Sequence, residues 1–380
     1  KQLQNKDFAI LYRTNAQSRA FEDSLRKRNI PYRVYGGLSF YQRKEIKDVL
    51  AYLRLIINEN DEEAFKRVIN FPTRGIGQTT INKLIIQANT LNKSLYSLCK
   101  ELDRSEVNIS SGIKLKVSNF INLIESFKIS SKTKNAFDIA NEVVKDTGII
   151  KTYSALTSIE DQAKIQNIEE MLNGIKDFVE IQKEIPESTG SISEFLEDIA
   201  LATDLDKDDQ DTNKVALMTI HLAKGLEFPI VYIVGLEENL FPSAMNLNSR
   251  NDLEEERRLF YVALTRAEKE AYLSYALSRY RWGKLTDSEP SRFIDEINEE
   301  YLDILTSVNE NKFRPLVRST TNSEPSFNKL RFKKVTPKPK GNFTKLQENS
   351  NKSNLFDNKL VVGNVAVSYT HLRAHETPSN

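Results

Sequence analysis

VALMTIHLAKGLEF, residues 215–228, is the stretch whose reading decides the fold. Its first six residues, Val215 to Ile220, form a near-continuous apolar run, the signature of a strand buried on both faces within a parallel sheet. The run closes on polar residues and glycine. His221, Lys224, Gly225 and Glu227 therefore follow the carboxyl end of a strand, the edge at which open α/β sheets place ligands. Taken alone the stretch supports two readings, a polar exit loop of the kind any buried strand needs or a ligand-binding loop.

Upstream, Phe8 to Arg13 (FAILYR) reads as another buried strand. Ala16 to Asn29 reads as a helix with Ala20, Phe21 and Leu25 turned inward, stopped at Asn29-Ile30-Pro31 because proline holds the residue before it extended. A strand over Tyr32–Tyr35 then runs into Gly36-Gly37, and a helix spans Gln42 to Ile57. Downstream, strands over Ile230–Val234 and Ala271–Ala276 flank a helix over Leu253–Ala267. This alternation predicts a parallel sheet. From about Asn58 to Asn213 only helical spacing is found, over Leu84–Lys100, Ile113–Phe127, Ala136–Val144, Ile159–Ile185 and Ile192–Ala202. The simplest organisation is an all-helical domain inserted into a sheet domain.

Lysine and arginine number 54 against 53 aspartates and glutamates, a net charge of +1. That balance excludes a generic polybasic coat, so any nucleic-acid binding must come from local patches. The single cysteine, Cys99, excludes an internal disulfide, fits a reducing cytoplasm and has core neighbours in Leu95, Leu98 and Leu102. No apolar run reaches membrane-spanning length. The chain enters a strand-like segment almost at Lys1 and is expected to be the C-terminal part of a longer protein. After Leu305 it turns basic and proline-rich, which predicts a disordered linker. Leu360 to Val367 reads as the start of a strand. Ser368 to Asn380 fit nothing before them and are expected to be non-native, which removes His371 and His375 from metal-site arguments. Asp204 to Asp211 lack the glycine and terminal glutamate of a calcium loop, so no metal site is expected.

Three further places carry candidate chemistry. Gly36-Gly37, ahead of Arg43 and Lys44, is either a tight turn or a close backbone approach to phosphate. Arg74-Gly75-Ile76-Gly77, with Thr79 beyond, is either a helix–helix turn or a hairpin whose amides face an anion. On the helix over Leu253–Ala267, the residues Glu255, Leu259, Val262, Ala263 and Arg266 share one face. Arg266 thus continues an apolar face and calls for an anionic partner. That partner is either Glu255 or a phosphate from outside, which planar guanidinium donors match bidentately.

Six stretches together resemble the C-terminal half of a UvrD/PcrA/Rep-type superfamily 1 DNA helicase, in that family's order. They are LYRTNAQSR (Leu11–Arg19), IPYRVYGGLSFYQRKEIKD (Ile30–Asp48), RGIG (Arg74–Gly77), LMTIHLAKGLEF (Leu217–Phe228), GLEENLFPS (Gly235–Ser243) and EEERRLFYVALTRA (Glu254–Ala267). The resemblance implies an α/β fold with a RecA-like parallel-sheet motor domain, 2A, from residues 1–58 and 213–303. An all-helical domain, 2B, interrupts it at 59–212. A disordered basic linker (304–358), the start of a truncated C-terminal barrel (359–367) and the tail 368–380 would follow.

The activity implied is that of an ATP-dependent 3′ to 5′ DNA helicase acting in repair or replication. Carried over to this sequence, Thr219, His221 and Lys224 face single-stranded DNA, while Glu227, with Gly225 beside it, reaches the nucleotide. Arg266 contacts the γ-phosphate across a cleft between two motor domains, where a guanidinium stabilises charge developing in phosphoryl transfer. The hairpin Arg74, Gly75, Ile76, Gly77 and Thr79 touches duplex DNA, and Gly36, Gly37 and Arg43 join the DNA-binding set. The implied cofactor is ATP with Mg2+, the metal held mainly by an N-terminal motor domain of the same chain. The implied partners are single-stranded and duplex DNA, that N-terminal domain, and RNA polymerase or repair proteins through the C-terminal tail, with no membrane. Residues 1–380 contain no G-x-x-x-x-G-K-[ST] phosphate loop, so the chain by itself is expected not to hydrolyse ATP. Two other readings are a non-catalytic duplex-DNA-binding module and the helicase subunit of a helicase–nuclease complex.

Overall fold

The structure is a computed structural model that describes residues 3–104, 107–155, 158–204, 212–244, 247, 249–305 and 360–364. The expectations for most of the acidic stretch 204–211, for 306–358 and for the tail 368–380 fall outside the described residues. Strands β1 (Phe8–Tyr12), β2 (Tyr32–Val34), β3 (Val215–Thr219), β4 (Phe228–Val234) and β5 (Ala267–Tyr275) match the expected positions within a few residues. Every residue of β3 is buried, as its apolar run requires. Among the described residues the sheet has seven strands: β2-β3-β1-β4-β5 lie side by side in that order, two more extend the β5 edge, and every neighbouring pair is parallel. Its last two members are β8 (Leu302–Leu305) and β9 (Leu360–Asn364). Residues 304 and 305, assigned to a linker from sequence, thus belong to a strand.

Successive side chains on a strand face opposite ways, and that alternation divides the sheet into two covered faces. Leu11, Met218 and Ile233 join Phe260 and Ala263 of helix α11 (Arg250–Leu264) on one face. Tyr12, Leu217 and Val234 meet Phe21 and Leu25 of helix α1 (Ser18–Lys27) on the other. The most buried residues of α1 are Ser18, Arg19 and Glu22, while Ala20, Phe21 and Leu25 are only half-buried. This helix therefore has two inner sides, an apolar one toward the sheet and a charged one toward the helical layer.

The helical layer runs through α2 (Lys44–Ile57), α3 (Glu62–Val68), α4 (Gln78–Thr90), α5 (Leu95–Lys100), α6 (Ser111–Ser130), α7 (Ala136–Asp146), α8 (Ile149–Ser154), α9 (Ile159–Gln182) and α10 (Ile192–Asp204). The single helix expected over Leu84–Lys100 is two. Asn92 adopts the left-handed conformation at φ 49°, which no helix interior tolerates, and the Ser94 side chain accepts the Ser97 amide to start α5. The apolar cluster of this layer begins at Phe40 and ends at Ile199, so α2 packs with the helices that follow it.

Where α1 meets α9 the contact is charged. Arg19 is buried and pairs with Asp23 at 3.0 Å and, from α9, with Glu170 at 2.8 Å and Asp177 at 3.4 Å. Gly174 of α9 makes room for it, because a Cβ there would stand 2.5 Å from Arg19 Nη1. Burial pushes the Asp177 carboxyl up to about 6, against the pull of Arg19. Alanine in place of a mid-helix glycine ordinarily stabilises by about 1 kcal/mol. Gly174→Ala is expected to do the reverse, losing ~1–3 kcal/mol in urea unfolding, because it displaces a buried, paired guanidinium. A stabilised variant would show that Arg19 moves aside freely.

Candidate functional site

The carboxyl edge of the sheet gathers the loops after β1, β3 and β4. After Thr219 the chain winds tightly: the Leu222 and Ala223 amides donate to the Thr219 carbonyl at 3.0 and 3.2 Å, and the Leu226 amide to the Ala223 carbonyl at 3.0 Å. Ile220 and Ala223 are fully buried and pin this turn to the core. What remains points outward. His221, Leu222, Lys224, Gly225, Leu226 and Glu227 are all exposed, whereas Thr219 is buried and contributes its carbonyl rather than its side chain. Gly225 takes φ 90° with open space where a Cβ would be, so backbone is accessible there.

Arg266 is brought onto the same turn. Its Nη1 donates to the Leu226 carbonyl at 2.8 Å, Nε to the Val262 carbonyl at 3.1 Å and Nη2 to Thr265 Oγ1 at 3.1 Å. Its own carbonyl receives the Phe228 amide at 2.9 Å. No carboxylate pairs with it among the described residues, and Glu255 is taken by Arg258. The requirement for an anion drawn from the helical face is thus corrected. Arg266 lies just past the end of α11, half-buried, where the Val262 carbonyl of the last turn and the Leu226 carbonyl of the neighbouring loop supply negative dipole ends. Glu227 follows Leu226 directly in the chain and is exposed.

A buried ion pair underlies this edge, and sequence reasoning did not find it. Arg13, just past β1, grips Glu256 of α11 with Nη2 at 2.7 Å and Nε at 3.0 and 3.2 Å, and Glu256 is 3% exposed. Glu256 also accepts the Ser243 amide at 3.2 Å, which ties down the loop after β4. The helical-face count singles out Glu255, one residue away from the buried carboxylate. The available signal was an arginine directly ending an apolar strand. His221 lies within the field of this pair: partial burial lowers its pKa first, the Arg13 charge lowers it further, and Glu256 opposes both.

Gly36 and Gly37 also reach this edge. Gly36 takes φ 72°, a left-handed turn that favours glycine, and it lies against the Leu222 side chain of the β3 loop. Arg43 does not join them. It is turned inside, with its guanidinium bonded to Asn15, Ser18 and Asn167.

The Arg74–Gly77 hairpin belongs to the helical layer. Arg74 faces inward, donating to the carbonyls of Val68 (2.9 Å) and Pro72 (3.2 Å) and to the Tyr52 hydroxyl (2.7 Å), 5.1 Å from the Phe120 ring centre. Ile76 is fully buried, and Asn70 Oδ1 accepts the amides of Arg74 and Ile76 at 3.0 Å each. Gly75, Gly77, Gln78 and Thr79 are exposed at the N-terminus of α4, whose cap residue Gly77 provides no side chain. Lys116 of α6 leans over Gly75, its Nζ 2.7 Å from the position a Cβ would take. Nothing in the hairpin's own sequence points to that lysine.

The segment that follows β5 carries a hairpin that the sequence reading does not predict. Residues after β5 form an antiparallel hairpin, β6 (Ser278–Arg281) and β7 (Lys284–Asp287), with Trp282 half-exposed at its tip. Glu237, fully buried in the loop after β4, holds its base by accepting from Arg279 at 2.5 and 2.7 Å and from the Ala276 amide at 2.8 Å. Among the described residues no group of three or more His, Cys, Asp or Glu side chains could hold a metal ion, and no helix is long and apolar enough to cross a membrane.

Comparison with known proteins bears on this arrangement. Residues 1–278 match the model of the UvrD-like helicase C-terminal domain. An ATP-dependent DNA helicase PcrA of Leuconostoc citreum is 41% identical over 304 residues, 80% of this chain and 40% of that protein. The PcrA proteins of Staphylococcus aureus (strain NCTC 8325 / PS 47) and Staphylococcus epidermidis are each 40% identical, over 82% and 81% of this chain and 42% of their own length. The chain therefore spans about two fifths of the length of the curated relatives it matches. The parallel sheet, the loops gathered at its carboxyl edge and this match over most of the chain place it in one family: the chain belongs to the UvrD-like helicase C-terminal domains.

Proposed function

We propose that this chain is the C-terminal motor half of an ATP-dependent DNA helicase that moves 3′ to 5′ along single strands in repair or replication. The observation that carries the reading is the turn after β3. It turns His221 and Lys224 outward while its Leu226 carbonyl receives Arg266 next to Glu227. A nucleotide engaged by Glu227 and Arg266 and a strand engaged by His221 and Lys224 would share one short loop. The relatives' description as ATP-dependent DNA helicases supports it. In this reading residues 1–58 and 213–303 form the RecA-like domain 2A and 59–212 the helical domain 2B. The separation of the sheet's two apolar clusters from that of the helical layer supports that division, although the side chains of α2 pack with 2B.

The carbonyls that now receive Arg266 are replaceable. A phosphate oxygen carries more negative charge than a carbonyl and offers the fork two parallel bonds. ATP with Mg2+, the metal held mainly by an N-terminal motor domain, would supply the group transferred, and this chain's part is to bind and orient it. Duplex DNA would meet the exposed amides at the start of α4 together with Lys116, which position without reading sequence. Arg74 and Arg43 hold the backbone around these sites, and Thr219 shapes the turn.

Two measurements test the reading. In a chain extended to the length of its relatives, Arg266→Ala is expected to lower DNA-stimulated ATP turnover by about 10³-fold or more. Unchanged turnover would remove the assigned role. The depressed His221 pKa leaves the folded imidazole neutral where the unfolded one is still protonated. Stability should therefore rise with pH from the depressed folded value up to the ordinary value of about 6.5. His221→Gln should flatten that rise in urea titrations, and His221→Ala should abolish most of the stimulation by single-stranded DNA. Full stimulation without the imidazole would sink the coupling role of this loop.

A further inference from the structure

One arginine is shared by the helical layer and the strand edge. Arg43 precedes α2 in extended conformation, is 9% exposed and lies 5.0 Å from the centre of the Phe40 ring. Its Nη1 donates both to the Asn15 carbonyl at 3.1 Å and to Asn167 Oδ1 at 2.9 Å, and its Nη2 donates to Ser18 Oγ at 2.7 Å. These acceptors stand on the turn after β1, on α9 and at the start of α1. Asn167 is buried as well, and its amide nitrogen donates to Glu45 at 2.5 Å, so its orientation is set from α2.

The Asn15 carbonyl belongs to the turn that presents Arg13. Within that turn Gln17 Oε1 accepts the amides of Arg13 and Thr14 at 3.0 and 2.9 Å. The nitrogen of the same Gln17 amide occupies the space where a Cβ on Gly235 would be, so the turn is pressed between the end of β4 and Arg43. From there the chain of contacts continues through Arg13 to Glu256 and into the field around His221.

We propose that Arg43 is a positioning residue that transmits the placement of α9 to the Arg13–Glu256 pair and through it to His221. A buried guanidinium must keep its donors satisfied, since each bond lost inside the protein carries the full desolvation penalty. Nη1 serves Asn167 and Asn15 at once. If α9 shifts, Nη1 either follows Asn167 and releases the Asn15 carbonyl, or stays and loses Asn167. The helical layer and the strand edge are thus alternatives for one nitrogen. The coupling itself is a statement about this chain, and its consequence for DNA rests on the functional reading above.

The test reads His221 directly. In the 380-residue chain, the His221 imidazole is titrated by nitrogen NMR, its signal assigned by its loss in His221→Gln. Arg43→Lys and Asn167→Ala are both expected to move the titration upward, because a loosened turn takes the Arg13 charge away and leaves Glu256 less neutralised. Asn173→Ala is the control. Asn173 is an equally buried asparagine of α9 that accepts the Gly283 amide at 3.3 Å, outside the chain of contacts. Its loss should leave His221 unmoved. The proposal is overturned if His221 titrates as before in both Arg43→Lys and Asn167→Ala, if Arg43→Lys alone moves it, or if Asn173→Ala moves it equally. Should Arg43→Lys unfold, Asn167→Ala decides against the Asn173→Ala control, since it keeps the Arg43 charge; should Asn167→Ala unfold, Asn167→Ser takes its place. Where the titration responds but DNA-stimulated ATP turnover in the extended chain does not, the coupling stands and the functional reading fails.

Discussion

An arginine at the tip of a buried strand must be neutralised where it stands, and the Arg13–Glu256 pair does this beneath the carboxyl edge of the sheet. Leaving one partner of such a buried pair alone costs about 3–5 kcal/mol. Glu256 sits in the middle of α11, so the pair fixes that helix against β1. The end of α11 then delivers Arg266 to the turn after β3, and the Ser243 amide anchors the loop after β4 to the same carboxylate. Three separate loops take their places from one ion pair.

The contact between the sheet and α9 has a different character from either core. Each layer has its own apolar cluster. Between them stand Arg19 with its carboxylates, Arg43 with Asn167, and the Gly283 amide on Asn173. Close approach is secured by glycine. A Cβ on Gly174 would strike Arg19, and one on Gly283, at φ 73°, would strike the Phe137 ring. Buried polar contacts of this kind hold the two layers only in a register that satisfies every donor, whereas apolar side chains would tolerate small slips.

Much of the architecture was legible because it follows from burial alone. β1, β3 and β4 are strands of apolar residues, and a strand covered on both faces leaves no other pattern. The helices α6, α7, α9 and α10 were legible by their spacing. The β6–β7 hairpin was not, since its residues are largely exposed and carry no alternation. The break at Asn92 was missed because apolar residues resume on the far side in helical register. In the site, the loop after β3 was legible as polar residues following a buried strand. Which of its members face outward was not, and Thr219 turned out to be inside.

The sequence by itself determined the parallel sheet, the helical segment between its strands and the edge at which polar loops collect. These depend on which residues avoid water, and that property is written residue by residue. Only the tertiary structure decided what each arginine does. Arg13 meets a buried carboxylate, Arg19 a cluster of them, Arg43 a carbonyl and two side chains, Arg74 the carbonyls of Val68 and Pro72, and Arg266 the Leu226 carbonyl. A guanidinium has five donors and a long flexible stem, so its role is set by the acceptors that folding brings within reach. Those acceptors come from distant parts of the chain, and for Arg13 and Glu256 the separation is 243 residues.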